Sequence, residues 1–565
     1  MFVVFEGIDG SGKTTVSNMV AERLRAGGLS VKHLRAEGKF VSVVSEAIRE
    51  LGRDARNIEL VPQAEFLLYV ARDVQLIEQA LRPALGHTDV VLADRFLYTA
   101  EILGRYGRRL SPEWTAPILQ AAAGGLTPDL VVLVDVDPVL ARARRKAAKL
   151  AADDQRPPSR KGLTGVGLQH RMRRGYLDLA AASPERWIVV DNEDVLEDLV
   201  IRVTSLISEA HRAGVSQALH DFRAAEKRSA RAPVPLTSPS EALEVFLRWV
   251  DLRSEREPRV AAYLLGGLWG PGVDERRRAL ADRVPQAVLA GLSGLGDDVS
   301  WELREKLRRD HPRAVAQTLG GFLGAHARAT ALRSALEREA PVEVVTSLGR
   351  LDDDFAWEVR ERLYDKHPAA VVGSLAMLGS ERAWNMRQRW LDRANGQLGQ
   401  SYETARVGAK SVTGLDDERS WGVRREVRTS APVATLASLE GVLGARSWDW
   451  RAEFLSRAPK VVMLTLKRIS HARAWQMRET VAGDCKEAID SIAWLDDPEA
   501  WAMRDTHADT WPSTVVKTLG PLSEAPRGRE LIERQLRAYP GNVSLLKHAA
   551  AVALGTHRAG TPDDY

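Results

Sequence analysis

Seven tryptophans in the second half of the chain are each followed three residues later by an arginine: Trp301, Trp357, Trp384, Trp421, Trp448, Trp475 and Trp501. Trp357 to Trp384, Trp421 to Trp448 and Trp448 to Trp475 are each 27 residues apart. The 56 residues from Trp301 to Trp357 hide one more unit, in which Thr330 takes the tryptophan place before Arg333. The 37 residues from Trp384 to Trp421 carry an insertion near 395–404. A unit this short cannot bury a core alone and must stack on its neighbours. The second half is therefore expected to be an all-α solenoid of helical hairpins. Asp297, Asp353, Ser380, Asp417 and Asp497 stand four residues before a tryptophan, where a side-chain acceptor can cap a helix. Prolines such as Pro341, Pro368 and Pro432 follow eleven residues after the tryptophan place and punctuate the units. Residues at i and i+3 share a helix face, so the Trp-Arg ladder reads as internal packing rungs. The concave side of such an array commonly receives a partner, here a protein or a nucleic acid.

The stretch "ARAPVPLTSPSE" at 230–241 marks a linker. The expected organisation is a first domain over 1–213, a linker over 214–241 and the solenoid over 242–565, which is similar in kind to HEAT-like arrays. A chain of 565 residues must divide in this way, because single cores stop growing at roughly 250–300 residues. With 80 Lys+Arg against 76 Asp+Glu, the net charge of +4 gives no argument for nucleic-acid binding. Cys485 is the only cysteine, which excludes an intrachain disulfide and a thiolate zinc cage and points to a reducing compartment. No stretch reaches the roughly 18 apolar residues of a membrane span, and the apolar start lacks the basic region of a secretion signal. A cytoplasmic location without membrane partners is expected.

The first domain opens with "FVVFEG", a strand buried on both faces, and "VSNMVAERLRAGG" reads as the helix that follows. Between them, Gly7 to Thr14 fits G-x-x-x-x-G-K-[ST]. Strand, glycine loop and helix in that order place backbone N–H groups around a phosphate at a helix N-terminus. Gly7, Asp9, Gly10, Ser11, Gly12, Lys13, Thr14 and Thr15 form the candidate ATP cradle. Lys13 reaches the outer phosphates and Thr14 offers a hydroxyl to Mg²⁺. Asp94, at the end of a buried strand, is the second candidate metal ligand.

Taken with its surroundings, "FEGIDGSGKTT" resembles the first motif of thymidylate kinases, and further motifs follow in that family's order. They are "SEAIREL" at 45–51, "AEFLLYVARD" at 64–73, "VVLADRF" at 90–96, "PDLVVLVDVDP" at 128–138, "HRMRRGYLDLA" at 170–180 and "RWIVVD" at 186–191. The resemblance covers residues 1–213 and implies an α/β fold with a parallel sheet flanked by helices. It also implies Mg²⁺-dependent transfer of a phosphoryl group from ATP to a nucleoside monophosphate, and a homodimer through this domain is a further expectation. Arg95 is then a catalytic residue and a clamp on the acceptor's phosphate, and Asp9 lies near the acceptor. The loop carries no base between Gly7 and Gly12, so the catalytic arginine falls to the lid at 150–169, which holds Arg156, Arg160 and Lys161 and reads as a mobile loop. Arg142, Arg144 and Arg145 precede it, near the nucleotide or facing water.

The acceptor side departs from the family. Its Arg-Glu-Pro-Gly-Gly appears here as Arg35-Ala36-Glu37-Gly38-Lys39. Tyr69 keeps the stacking aromatic, but Asp73 holds the place of the base-reading arginine and Arg72 comes one residue early. Thr99, Ala100 and Leu103 replace the paired polar residues and the later tyrosine. Either Asp73 faces the base and accepts from an exocyclic amino group, or Arg72 serves and Asp73 faces solvent. The sequence thus supports a nucleotide kinase with an appended recognition array. The alternative is a specialised or regulatory P-loop NTPase, for example in defence, whose solenoid recognises a macromolecule.

Overall fold

The computed structural model describes residues 1–35, 40–151, 160–193, 196–226, 234–322, 326–393 and 398–557. It divides into two compact units, Met1–Arg145 with Pro157–Ala232, and Lys146–Arg156 with Pro233–Tyr565.

In the first unit five strands form a parallel sheet in the order β2-β3-β1-β4-β5. They are β1 Phe2–Glu6, β2 Val31–His33, β3 Val90–Asp94, β4 Leu130–Asp135 and β5 Trp187–Asp191. β1 and β3 are buried along their whole length, as continuous apolar runs between helical layers must be. Val16, Val20 and Leu24 of α1 (Lys13–Ala26) join Leu199, Val203 and Ile207 of the helix Leu196–Ala213 over Val3, Phe5, Leu92 and Val132. The register pairs Phe5 with Asp94. This brings the glycine loop after β1 beside Asp94 and Arg95 at the carboxyl ends of neighbouring strands, where α/β sheets hold their ligands. Two further helices, α2 (Val43–Arg53) and α3 (Pro62–Leu76), lie on the acceptor side of the sequence motifs. Residues 215–226, which the sequence assigns to the linker, form a helix packed on Leu196–Ala213. Ala218 and Leu219 give it the buried face that a free linker would lack. The expected lid loop is helical at Arg160–Leu163 and from Val166 onward.

The second unit is all-helical. Short helices that open on a proline, such as Pro341–Ser347, Pro368–Gly373 and Pro432–Ala437, alternate with the tryptophan helices, such as Asp354–Leu363 and Glu418–Val427. Asp297, Asp353, Ser380 and Asp417 cap as expected. Asp497 does not cap: its carboxylate accepts from Ser470 Oγ at 2.9 Å in the preceding turn. The repeat also starts one unit earlier than the tryptophans indicate, because Arg277 occupies the ladder with Asp274 in the tryptophan place. Each ladder arginine from Arg277 to Arg504 is buried. Arg360 shows why: it bonds Leu348 O and Leu351 O at 2.8 Å, carbonyls of the turn that follows the previous short helix, and Ser374 Oγ of the next at 3.0 Å. Its guanidinium lies 4.9 Å from the Trp357 ring centre. The ladder is a packing device. In eight units the turn after the short helix holds a left-handed residue, filled by Gly267, Gly294, Gly414 and Gly441 but also by Arg350, Met377, Arg468 and Trp494, all with φ between 58° and 81°. The first helix, Pro239–Arg256, packs on the last, Val543–Ala553, so the array closes on itself.

Candidate active site

The glycine loop takes a backbone course that side chains would block. Gly7, Gly10 and Gly12 have φ of 146°, 92° and 89°. A Cβ on them would lie 2.4 Å from Val134 O, 2.3 Å from Ala141 O and 2.3 Å from Asn192 Nδ2. Asn192 donates to Ser11 O at 2.6 Å and accepts at its own carbonyl from Arg144 at 2.8 Å, which pins the loop from behind. Sequence reasoning missed Asn192; its signal is its place directly after the last strand.

Lys13 is buried at the start of α1 and donates to Ile8 O at 3.2 Å. Burial and then Arg95 lower its pKa to about 7, against the pull of Asp94 and Asp9. Thr14 Oγ1 donates to Asp94 Oδ2 at 2.5 Å, and Arg35 reaches the same oxygen at 3.0 Å. Burial would raise Asp94, but Arg35, Lys13 and Arg95 outweigh it and hold the carboxyl below its usual range. The other oxygen, Asp94 Oδ1, is buried without a hydrogen-bond partner. A carboxylate oxygen left bare beside a threonine hydroxyl at a phosphate loop is a donor set that suits a hard divalent cation.

Arg95 adopts φ 87°, a conformation that non-glycine residues hold only where the surroundings enforce it. Its guanidinium donates to Gly7 O, Thr99 Oγ1 and Tyr176 OH at 3.2, 3.0 and 3.3 Å, and to Asp9 Oδ1. Behind it lies Glu6, fully buried, which accepts from Thr99 and Tyr176 at 2.9 Å. Burial pushes the Glu6 carboxyl up, while Arg95 and these bonds pull it down. At Asp9 burial acts upward too, but Lys161, Arg95, Lys13 and Arg145 hold it well below the carboxylate range. Glu6 and Tyr176 sit inside motifs the sequence offered, yet nothing in one dimension shows that they meet.

Around Tyr69 one part of the expected alternatives fails, because Asp73 does not face solvent. Arg72 and Asp73 are both buried and form a bidentate pair, Nε to Oδ1 at 2.6 Å and Nη2 to Oδ2 at 2.8 Å. Both oxygens of the Asp73 carboxylate are taken by Arg72. The Arg72 guanidinium lies 4.8 Å from the centre of the Tyr69 ring and 5.3 Å from that of Phe40, which the sequence did not single out. Ala100 and Leu103 are core residues and Thr99 serves Arg95.

The lid residues separate. Arg156 lies outside the described residues. Arg160 pairs with Glu65 at 2.8 Å and bonds Leu60 O, so its charge is engaged away from Asp9. Lys161 instead stands 4.7 Å from the Tyr69 ring centre and acts on Asp9. Glu65, fully buried and held also by Arg108 at 2.6 Å, is what captures Arg160.

The thymidylate kinase family profile matches residues 5–203. The thymidylate kinase of Nitratidesulfovibrio vulgaris (strain DSM 19637 / Miyazaki F) is 35% identical over 216 residues, covering 38% of this chain and 100% of that protein. That of Bifidobacterium longum (strain DJO10A) is 36% identical over 220 residues, covering 37% and 98%. A crystal structure of thymidylate kinase from Ehrlichia chaffeensis is 24% identical, with a TM-score of 0.29 over 37% of this chain and 98% of that one.

Proposed function

Through its N-terminal unit this chain belongs to the thymidylate kinase family and is a nucleotide kinase, and we propose that it moves the γ-phosphoryl group of ATP to a thymidylate-type monophosphate. The observation that carries the reading is the meeting of Lys13, Asp94 and Arg95 at the carboxyl ends of β1 and β3. Phosphoryl transfer asks for aligned reactants and positive charge around a spreading anion rather than for covalent work by the protein. The loop amides from Gly7 to Thr15 hold the donor's phosphates, and Lys13 neutralises charge on the group in transit. Asp94 and Thr14 would hold Mg²⁺, which would supply positive charge beside the donor's phosphates. Arg35 and Arg95 fix the acceptor's phosphate, Arg95 being held in aim by Asp9 and Glu6.

For the acceptor's base, Tyr69 supplies the stacking ring. Arg72 is the reader, with Asp73 holding its fork so that the remaining N–H groups keep one direction. Donors suit the carbonyl of a thymine-type base. Lys161, beside Tyr69 and Asp9, is the lid cation for the transferred group, and Arg160 fastens the lid through Glu65. The array is a recognition module carried by the kinase. Among the described residues no helix is long and apolar enough to cross a membrane.

The test is incubation of the full chain with ATP, Mg²⁺ and a panel of nucleoside monophosphates. Thymidine diphosphate is expected as the main product. Turnover of no monophosphate, or equal turnover of all, would overturn the acceptor assignment.

A further inference from the structure

The closed array has an inner surface whose charge differs from the rest of the chain. Its short helices pack directly on one another. The tryptophan helices stand further apart and are bridged by side-chain ion pairs such as Arg389–Glu361 at 3.0 Å and Arg419–Glu381 at 2.8 Å. The short helices are thus the concave layer, and the meeting of Pro239–Arg256 with Val543–Ala553 makes that layer surround a central space. Counted from its opening proline, a short helix buries its fourth, fifth, seventh and eighth residues, as in Val371, Val372, Ser374 and Leu375. At 3.6 residues per turn the second and sixth lie on the opposite side, toward the centre.

With Ala405 and Cys485 counted in the proline place of their units, the second place is taken by Arg259, Arg313, Arg406, Lys460 and Lys486 in half of the units and by an acidic residue in none. At the sixth place Lys410 and Lys517 face inward with one carboxylate, Asp490, which Lys486 and Lys517 approach at 2.9 and 3.5 Å. Arg406 pairs with Glu403. Lys410 is exposed and lies over Gly373 of the neighbouring unit. A near-neutral chain has therefore gathered positive charge on one enclosed face. At the far ends of the short helices, Arg350 bonds Glu440 three units further on at 2.8 Å, so the opening there is no wider than two side chains can span.

We propose that this inner face binds a compact, phosphate-rich small molecule. Lysine and arginine converging on one space are suited to several phosphate groups at once. The narrow end leaves no passage for a nucleic-acid duplex. Single-stranded binding would call for successive aromatic platforms, and Tyr263 is the one aromatic residue at these second and sixth places. The inference rests on reading the array as a recognition module and is independent of the kinase's acceptor.

The experiment uses the full chain carrying Lys13→Ala, which silences the phosphate loop. Inorganic tripolyphosphate, inositol hexakisphosphate and a short single-stranded oligonucleotide are titrated by calorimetry, at low and at physiological salt. Saturable, salt-sensitive binding of either small probe is expected. Lys410→Gln with Lys517→Gln should weaken it roughly tenfold or more, as loss of two charge-assisted contacts implies. Arg389→Gln on an outer helix should leave it unchanged, and circular dichroism checks that each variant is folded. Two small probes that differ in their carrier tell a general phosphate site from one shaped for a particular scaffold. Failure of both small probes to bind, or binding that survives the lysine pair, overturns the proposal. Binding of the oligonucleotide alone would also overturn it, while keeping the array as a recognition module.

Discussion

Lys13 should take up a proton when ATP binds, and the size of that uptake follows from its surroundings. In the free protein, burial and the neighbouring Arg95 bring its pKa to about 7, against the opposing pull of Asp94 and Asp9. At pH 8 only about a tenth of the protein then carries the lysine charged, and at pH 6 about nine tenths. Phosphate oxygens stabilise the ammonium and return the pKa toward its ordinary value. Binding at pH 8 should therefore draw in close to one proton per ATP, and binding at pH 6 almost none from this residue. The charging costs about 1.4 kcal/mol at pH 8, a loss of roughly tenfold in affinity against pH 6 from this group. Titration calorimetry in buffers of different ionisation enthalpy measures the uptake directly, and Lys13→Met should abolish its pH 8 value. The sign for folding follows as well. Between about pH 7 and the unfolded lysine's pKa the unfolded chain binds the extra proton, so this group's contribution to stability rises with pH through that window. An uptake near zero at pH 8 in the unmodified protein would refute the argument, since Lys13 would then be charged before ATP arrives.

Asp94→Asn keeps the hydrogen bond to Thr14 but removes the charge beside the bare Oδ1; turnover should fall by ~10²-fold or more, in steady-state assays across a magnesium titration, with folding unchanged. Trp421, buried, bonded to Asp416 at 2.8 Å and packed on Arg424 and Trp450, should cost the array ~3–5 kcal/mol when truncated to alanine; denaturant unfolding followed by tryptophan fluorescence measures it, and a loss under ~1 kcal/mol would contradict its burial. Leu546→Ala in the closing helix should cost ~2–5 kcal/mol. Because the ends meet, hydrogen exchange should quicken in Pro239–Arg256 as well as in Val543–Ala553; protection lost only from the last helix would show an open array.

Two features were legible in the sequence, because each depends on spacing along one stretch of chain. The loop from Gly7 to Thr14 is one, since strand, glycines and helix N-terminus are consecutive. The repeat is the other, since stacking copies must present the same faces at the same intervals. The linear pattern even located the ladder arginines, although the carbonyls they satisfy belong to the preceding unit. The pattern failed where identity at the tryptophan place lapsed: Asp274 hid the unit of Arg277. What the tertiary structure alone decided depends on residues far apart in the chain. Glu6, Thr99, Tyr176 and Arg95 form one network across 170 positions. Glu65 takes Arg160 from 95 residues away, while Lys161 stands beside Tyr69. Arg72 and Asp73 are adjacent in sequence, and yet nothing in that adjacency shows that they pair with each other while Phe40 and Tyr69 flank the guanidinium. Closure of the array was likewise out of reach of any single unit. A repeat specifies its contact with the next copy, but whether the first and last helices meet is set by small rotations accumulated around the ring, and no local stretch of sequence carries that sum.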